Sequence, residues 1–429
     1  MKWIILLVSV CVFSVLTEAQ ALPLKESVAN SLHRAQLLYR QLNAIQPQLD
    51  FAPIWRRWHE RRVHDTRVPL ENLQLLINRL SEQQNQLTVC QQAAVDELTF
   101  QLALLQERNR LIEQLPHDAV EYSSSFYQLP NGRAWYKHWL KSWLRHDVSI
   151  KQLQTMAKKE LQAVDVRREA LDKLSLAKNH ESYSIKDKSK IVSAFEQREK
   201  TVYQYLSTFV TGNFKAPKLR IEQSSLPKSF PAPGIYNPAN QTFLYHLQTD
   251  LLPIAHMDWL LLHEAVPGHH YQSQFSLHQS NCSSLNGEVG ANVFSEGWAA
   301  YVEQFGADLG LFTDKSSAAY ALDWQALRAV RVLLDIGIHF YGWTDEQAEQ
   351  EWMKHIPEQR AIMAREINRI RTWPVQVISY VYGKAVIEQI AQRMKANNPE
   401  LSMAEVHRKI LQLHTGVFTQ KPSVYEQTD

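Results

Sequence analysis

The chain has 429 residues, a formal net charge of +2 and 45% hydrophobic residues, ample for a large core. So even a charge balance offers no basic stripe for nucleic acid or for a membrane surface. With 13 glycines and no glycine-rich phosphate loop, a nucleotide-cradling turn is excluded as well.

Lys2 precedes an apolar run from Trp3 to Leu16, and Thr17-Glu18-Ala19-Gln20-Ala21 follows. This pattern predicts a secretory signal peptide over residues 1–21, cut after Ala21 or Ala19. The run is too short for a comfortable membrane span and no other long apolar segment follows. The mature chain is therefore expected to be exported, periplasmic or secreted, without stable membrane insertion. Cys11 lies inside the run and not at its end, which argues against a lipid anchor there. Cys90 and Cys282 remain; in an oxidising compartment they can pair, or they can stand as two thiols.

Residues 22–211 read as an N-terminal helical region, expected to cover a cleft. Leu73, Leu76, Ile77, Leu80 and Leu87 fall at helical spacing, as do Leu153, Met156, Val164 and Leu171. Such stripes mark core-facing helices. Turn-rich breaks lie at 123–134 and 212–240, the second with five prolines from Pro217 to Pro238. Phe243 and Tyr245, two residues apart with Thr242 and His246 outside them, predict a strand over Gln241–Leu247. Residues 212–429 form the expected catalytic region.

Residues 263–270 read His-Glu-Ala-Val-Pro-Gly-His-His, and 295–299 read Ser-Glu-Gly-Trp-Ala. A hydrolytic zinc site needs three protein ligands, an open fourth position and a nearby carboxylate to take a proton from water. His263 and Glu296 supply two ligands and Glu264 the base. The third is His269 or His270. Pro267 stands where H-E-x-x-H would place its second histidine. Proline removes a helical N–H and clashes with the preceding turn, and Gly268 relaxes the backbone, so Pro267-Gly268 predicts a bulge or break in the helix. Removing the pair on paper puts His269 in the ligand position, while His270, at i+7, shares a helical face with His263. Glu303, seven residues after Glu296, can orient a ligand histidine through its outer nitrogen.

The stretches His263–Gln272 and Phe294–Tyr301 resemble a bacterial family of unknown function marked by H-E-x-x-P-G-H-H and E-G-W-A. That family is similar to gluzincin zinc metallopeptidases. The resemblance continues through Arg328–Trp343 and Arg369–Gly383, with Val375 standing where the pattern has glycine and Tyr382 where it has an aliphatic residue. It implies a mainly α, large helical zincin-like fold with a small β element beside the active-site helix. Zincin sites commonly set an edge strand there, onto which substrate backbone can add.

Arg331, Asp335 and His339 fall at i, i+4 and i+8 on one helix face. In the peptidase reading His339 or Tyr380 donates to the developing oxyanion, Arg369 and Arg331 bind substrate carboxylate, and Asp335 supports from behind. The expected activity is that of an exported Zn2+-dependent peptidase acting on oligopeptides, with Glu264 as general base. Two rivals share the residues: a zinc-containing peptide-binding protein without catalysis, and a non-haem iron oxygenase, which also uses two histidines and a carboxylate.

Overall fold

A computed structural model of the chain describes residues 27–45, 54–114, 125–228, 230, 232–279 and 291–413. The expected signal peptide and Cys282 lie outside the described residues. Cys90 is disulfide-bonded, and since Cys11 and Cys282 are both outside, the open choice between a Cys90–Cys282 pair and two thiols lies outside the described residues.

Two compact units make up the chain, Met1–Glu121 and Tyr122–Asp429. The first holds helices α1 (Val28–Ile45), α2 (Ile54–Glu82) and α3 (Val89–Glu113). Its core includes Leu73, Leu76, Ile77 and Leu80 of the α2 stripe. Thr88 and Gln91 form a reciprocal capping box that starts α3.

The second unit begins well before residue 212. Helices α4 (Gly132–Leu144), α5 (Ile150–Lys173) and α6 (Lys188–Phe209) all belong to it. The reason is packing: α5 buries Leu153, Val164 and Leu171 and lies along α10 (Lys315–Ile336). A boundary at 211/212 would cut through one core. Leu140, Leu144, Trp135 and Tyr136 give α4 its buried face.

The fold is mainly helical, with two small sheets. β1 (Ser182–Ser184) pairs antiparallel with β5 (Leu251–Pro253). β2 (Arg220–Gln223), β3 (Gly234–Asn237) and β4 (Thr242–Tyr245) form a three-stranded sheet in the order β2-β4-β3. The alternating Phe243 and Tyr245 thus belong to the central strand, parallel to β2 and antiparallel to β3. The stretch 212–240, proline-rich and turn-like in sequence, contributes both edge strands.

β5 runs straight into α7 (Ile254–Glu264), whose residues Met257 to Glu264 are all buried. A helix apolar on nearly every side belongs inside a large core. α8 (His269–Gln279) and α9 (Ala291–Val302) follow, and α9 crosses α13 (Ile378–Asn397) closely. At that crossing a Cβ on Gly297 would stand 2.5 Å from the Gly383 Cα. The two glycines therefore permit backbone-to-backbone contact where any side chain would push the helices apart. α11 (Asp345–His355), α12 (Met363–Thr372) and α14 (Met403–Leu413) complete the unit, and α10 passes into a π-helical turn over Gly337–Tyr341. No helix among the described residues is long and apolar enough to cross a membrane.

Candidate metal centre

The proline break is larger than a bulge within one helix. α7 ends at Glu264, the Val266–Pro267 peptide is cis, and α8 starts at His269. A Cβ on Gly268 would lie 2.0 Å from the His263 carbonyl oxygen, so only glycine lets the chain fold back this tightly. Trp298 of α9 pins the junction by donating Nε1–H to the Pro267 carbonyl at 2.8 Å. His263 and His269 thus come from consecutive helices and meet with ring centroids 4.7 Å apart.

His263, His269 and Glu296 offer donor atoms that all lie within 4.8 Å of one another. The outer nitrogens fix what faces inward. His263 Nδ1 is 2.7 Å from Glu303 Oε1, so this nitrogen carries the hydrogen and Nε2 keeps its lone pair. His269 Nδ1 likewise lies 2.9 Å from Ser295 Oγ. Both Nε2 atoms then face Glu296 Oε2, at 3.7 and 3.5 Å. Among the described residues that buried oxygen has no hydrogen-bond partner. With neutral imidazoles the two Nε2 lone pairs meet the carboxylate at 3.7 and 3.5 Å, an arrangement that a cation resolves; without one, Glu296 instead holds a proton on His269. The donor set of two imidazoles and one carboxylate fits zinc. Burial would raise Glu296, but His269, His263 and Arg328 pull it down to about 2, so it presents a carboxylate and not an acid.

Behind the triad stands a charge relay. Glu303 lies in a 3-10 turn that continues α9, and it accepts from Arg328 Nη1 at 2.5 Å as well as from His263. Burial would raise the Glu303 carboxyl, and Arg328 and His263 together hold it below the usual range. Arg328 is itself buried, with its guanidinium 4.9 Å over the Tyr380 ring and 5.4 Å over Trp259. Trp259 in turn stacks on His263 at 5.5 Å. A cavity of about 450 Å³ between α5, α10 and α13 has Glu303, Arg328 and Tyr380 in its wall, but none of the three triad residues.

Glu264 is buried beside edge strand β3 and accepts a hydrogen bond from the Tyr236 N–H. A Cβ on Gly234 would come within 3.1 Å of its Cγ. Burial pushes its pKa up, against the pull of His263 and His269. A carboxyl adjusted upward beside the His263–His269–Glu296 cluster has the character required of a general base.

Tyr380 of α13 lies on the other side, its ring stacked 6.3 Å from His263. Its oxygen accepts from Gln376 Nε2 at 3.1 Å and from Arg369. The phenol oxygen is thereby held as an acceptor and keeps a hydrogen to donate. Burial raises the Tyr380 pKa, with Glu296 adding to it, so the phenol stays protonated.

Other expected residues are placed elsewhere. His270 is buried and turned from the triad, with Nδ1 3.0 Å from the Tyr236 hydroxyl and Nε2 2.9 Å from the Pro217 carbonyl. Both ring nitrogens are engaged, so His270 is not a metal ligand. The one-residue step on a fresh helix swings it about 100° from His269. His339 is not at the site either. Its Nδ1 accepts from the Phe126 N–H at 3.2 Å, its Nε2 donates to the Ile370 carbonyl at 2.9 Å, and burial lowers its pKa to about 4. Asp335 accepts from the Tyr136 hydroxyl at 2.7 Å and the Val375 N–H at 2.8 Å, so it braces a loop and not a ligand histidine. Arg331 is buried against Glu366 at 2.6 Å, a structural ion pair and not an open carboxylate receptor. Regular spacing on α10 marked a real face, but that face is core. Arg328, Tyr236 and Gln376 were not singled out from sequence, and Ser295, which reads there as a cap for the Glu296 helix, lies inside α9 and meets His269 instead. Arg328 meets Glu303 across elements 25 positions apart, a tertiary contact that spacing along α10 does not encode.

The sequence profile of a family described as "Bacterial protein of unknown function (DUF885)" matches residues 63–413. The chain belongs to this family. Among solved structures, this DUF885 protein is similar to "the putative lipoprotein from Colwellia psychrerythraea", with TM-score 0.60 and 21% identity over 95% of this chain and 77% of that one. It is also similar to "a putative lipoprotein of unknown function from Shewanella oneidensis", with TM-score 0.52 and 20% identity over 95% of this chain and 80% of that one. At these identities the likeness is one of fold. No curated protein matches the chain significantly.

Proposed function

We propose that this DUF885 protein is an exported zinc-dependent peptidase of the gluzincin type. The observation that supports it most is the unpartnered Glu296 oxygen between two imidazole Nε2 atoms, with the carboxylate of Glu264 alongside. His263, His269 and Glu296 would hold the ion. Zinc bound there supplies a Lewis acid for a carbonyl oxygen and lowers the pKa of water. Glu264 takes a proton from the attacking water and passes it to the leaving amine. Tyr380 directs its free hydroxyl hydrogen at the oxygen on which charge develops. The outer side of β3, next to Glu264, pairs with no strand among the described residues and suits an extended peptide. Export is part of the proposal: the signal-like N-terminus and the lipoprotein names of two fold neighbours are compatible with it.

The test is mass spectrometry of a diverse peptide mixture incubated with the zinc-loaded protein and with zinc-loaded Glu264→Gln. Cuts by the unsubstituted protein, reduced at least 1,000-fold in the variant at equal zinc content, are expected. Silence from both at full zinc occupancy overturns the reading and favours a binding role, while iron in the protein with oxygen-dependent turnover favours an oxygenase.

A further inference from the structure

Next to the triad, three arginines surround a single carboxylate. Glu366 of α12 is buried, with Arg331 at 2.6 Å and Arg365 at 3.7 Å. Arg369, one helical turn further along α12, has no such partner. Among the described residues its hydrogen bonds go to Gln376 Oε1 at 2.9 Å and to the Tyr380 hydroxyl, both neutral. No carboxylate touches this half-buried guanidinium among the described residues, and Glu366 and Glu296 act on it only at longer range. A partly desolvated guanidinium on neutral acceptors is favourable ground for an incoming anion, and its planar fork matches a carboxylate.

We infer that Arg369 receives the free C-terminal carboxylate of the substrate, so that the protein acts as a carboxypeptidase on short peptides. This rests on the peptidase reading above. Gln376 occupies Nη2 and holds the fork in place, leaving other N–H groups for the substrate. Tyr380 joins the two ends of the reaction, because its oxygen is held by Arg369 and Gln376 while its hydrogen is left for the scissile carbonyl. In the hydrolysis, water oxygen bonds to the carbonyl carbon and the C–N bond breaks. One water proton travels through Glu264 to the amine, and the released fragment keeps the original C-terminal carboxylate. A peptide amide offers no charge to Arg369, and a site built for a charged partner rejects the neutral analogue strongly.

The experiment is calorimetric binding to zinc-loaded Glu264→Gln of one hexapeptide in three forms: free acid, C-terminal amide, and amide with glutamate as last residue. The free acid should bind at least 10-fold more tightly than either amide. Adding Arg369→Gln should shrink that ratio below about 3-fold, and Arg369→Lys should keep part of it, with thermal melting confirming that each variant is folded. Equal affinities, no binding of any form, a glutamate amide as tight as the free acid, or a preference that survives Arg369→Gln each overturn the inference. Selective binding of the free acid by the variant, with no peptide cut by the unsubstituted protein, keeps Arg369 as receptor and removes the hydrolytic reading instead.

Discussion

Glu303 joins the site to its surroundings through one hydrogen bond on each oxygen, and its replacement separates two effects. Glu303→Gln can still accept from His263 but no longer neutralises Arg328. Zinc affinity, read by competition with a chromophoric chelator, is expected to fall on the order of 10- to 100-fold. Unchanged affinity would show that the ring is oriented by its stack on Trp259. Val375 poses a different problem at the same scale. Its φ is +70°, a region costly for a β-branched residue, and it is buried. The family pattern has glycine here, which relieves the strain but loses apolar burial. We expect Val375→Gly to cost about 2 kcal/mol less than Val377→Gly, a nearby buried valine at an ordinary φ, in urea unfolding. Equal losses would mean the backbone strain has no energetic weight.

At the scale of elements, the turn between α7 and α8 does the positioning. Gly268→Ala puts a methyl against the His263 carbonyl, which can move only if His263 moves. The expected outcome is a loss of zinc affinity larger than the loss of thermal stability. A drop in stability with unaltered zinc affinity would assign Gly268 to folding alone. How far this junction was legible is instructive. Pro267 and Gly268 announced a break after Glu264. They did not say that a second helix begins at His269, which decides which imidazole turns inward. The strands divide similarly. Phe243 and Tyr245 alternate because both are buried in central β4. β3 and β2 are four-residue edge strands beside prolines, and short edges need little intrinsic propensity once a partner strand supplies their hydrogen bonds.

Over the whole molecule, three histidines held neutral, His339 and His407 buried and His256 half-buried, should set the acid limit of stability. Burial lowers His256, His339 and His407 to about 4 each. The unfolded value is near 6.5, so the stability gained by keeping each neutral is present above that pH and lost as pH falls toward 4. Asp335 works the other way: burial raises it to about 7, so its protonation on acidification favours the fold. His407 donates through Nδ1 to the Phe209 carbonyl and accepts from Tyr301, and glutamine can imitate both. His407→Gln should flatten the stability profile between pH 6.5 and 4 by about one proton, or about 1.4 kcal/mol per pH unit, in urea titrations. An unchanged slope would mean His407 protonates without disturbing the native state.

What the sequence determined by itself was what short-range chemistry encodes: a helical chain, a break at Pro267, and a set of His and Glu residues of the type zinc requires. Periodicity, proline geometry and donor type are local properties, and they are legible without a fold. Tertiary structure alone decided the pairing of charges. Arg331 and Arg369 lie 38 positions apart in one chain region rich in arginine, yet Glu366 packs against the first and leaves the second beside Tyr380 and Gln376. Whether a buried ion is structural or available depends on which partner the packing brings within about 4 Å, and spacing along a helix does not carry that information.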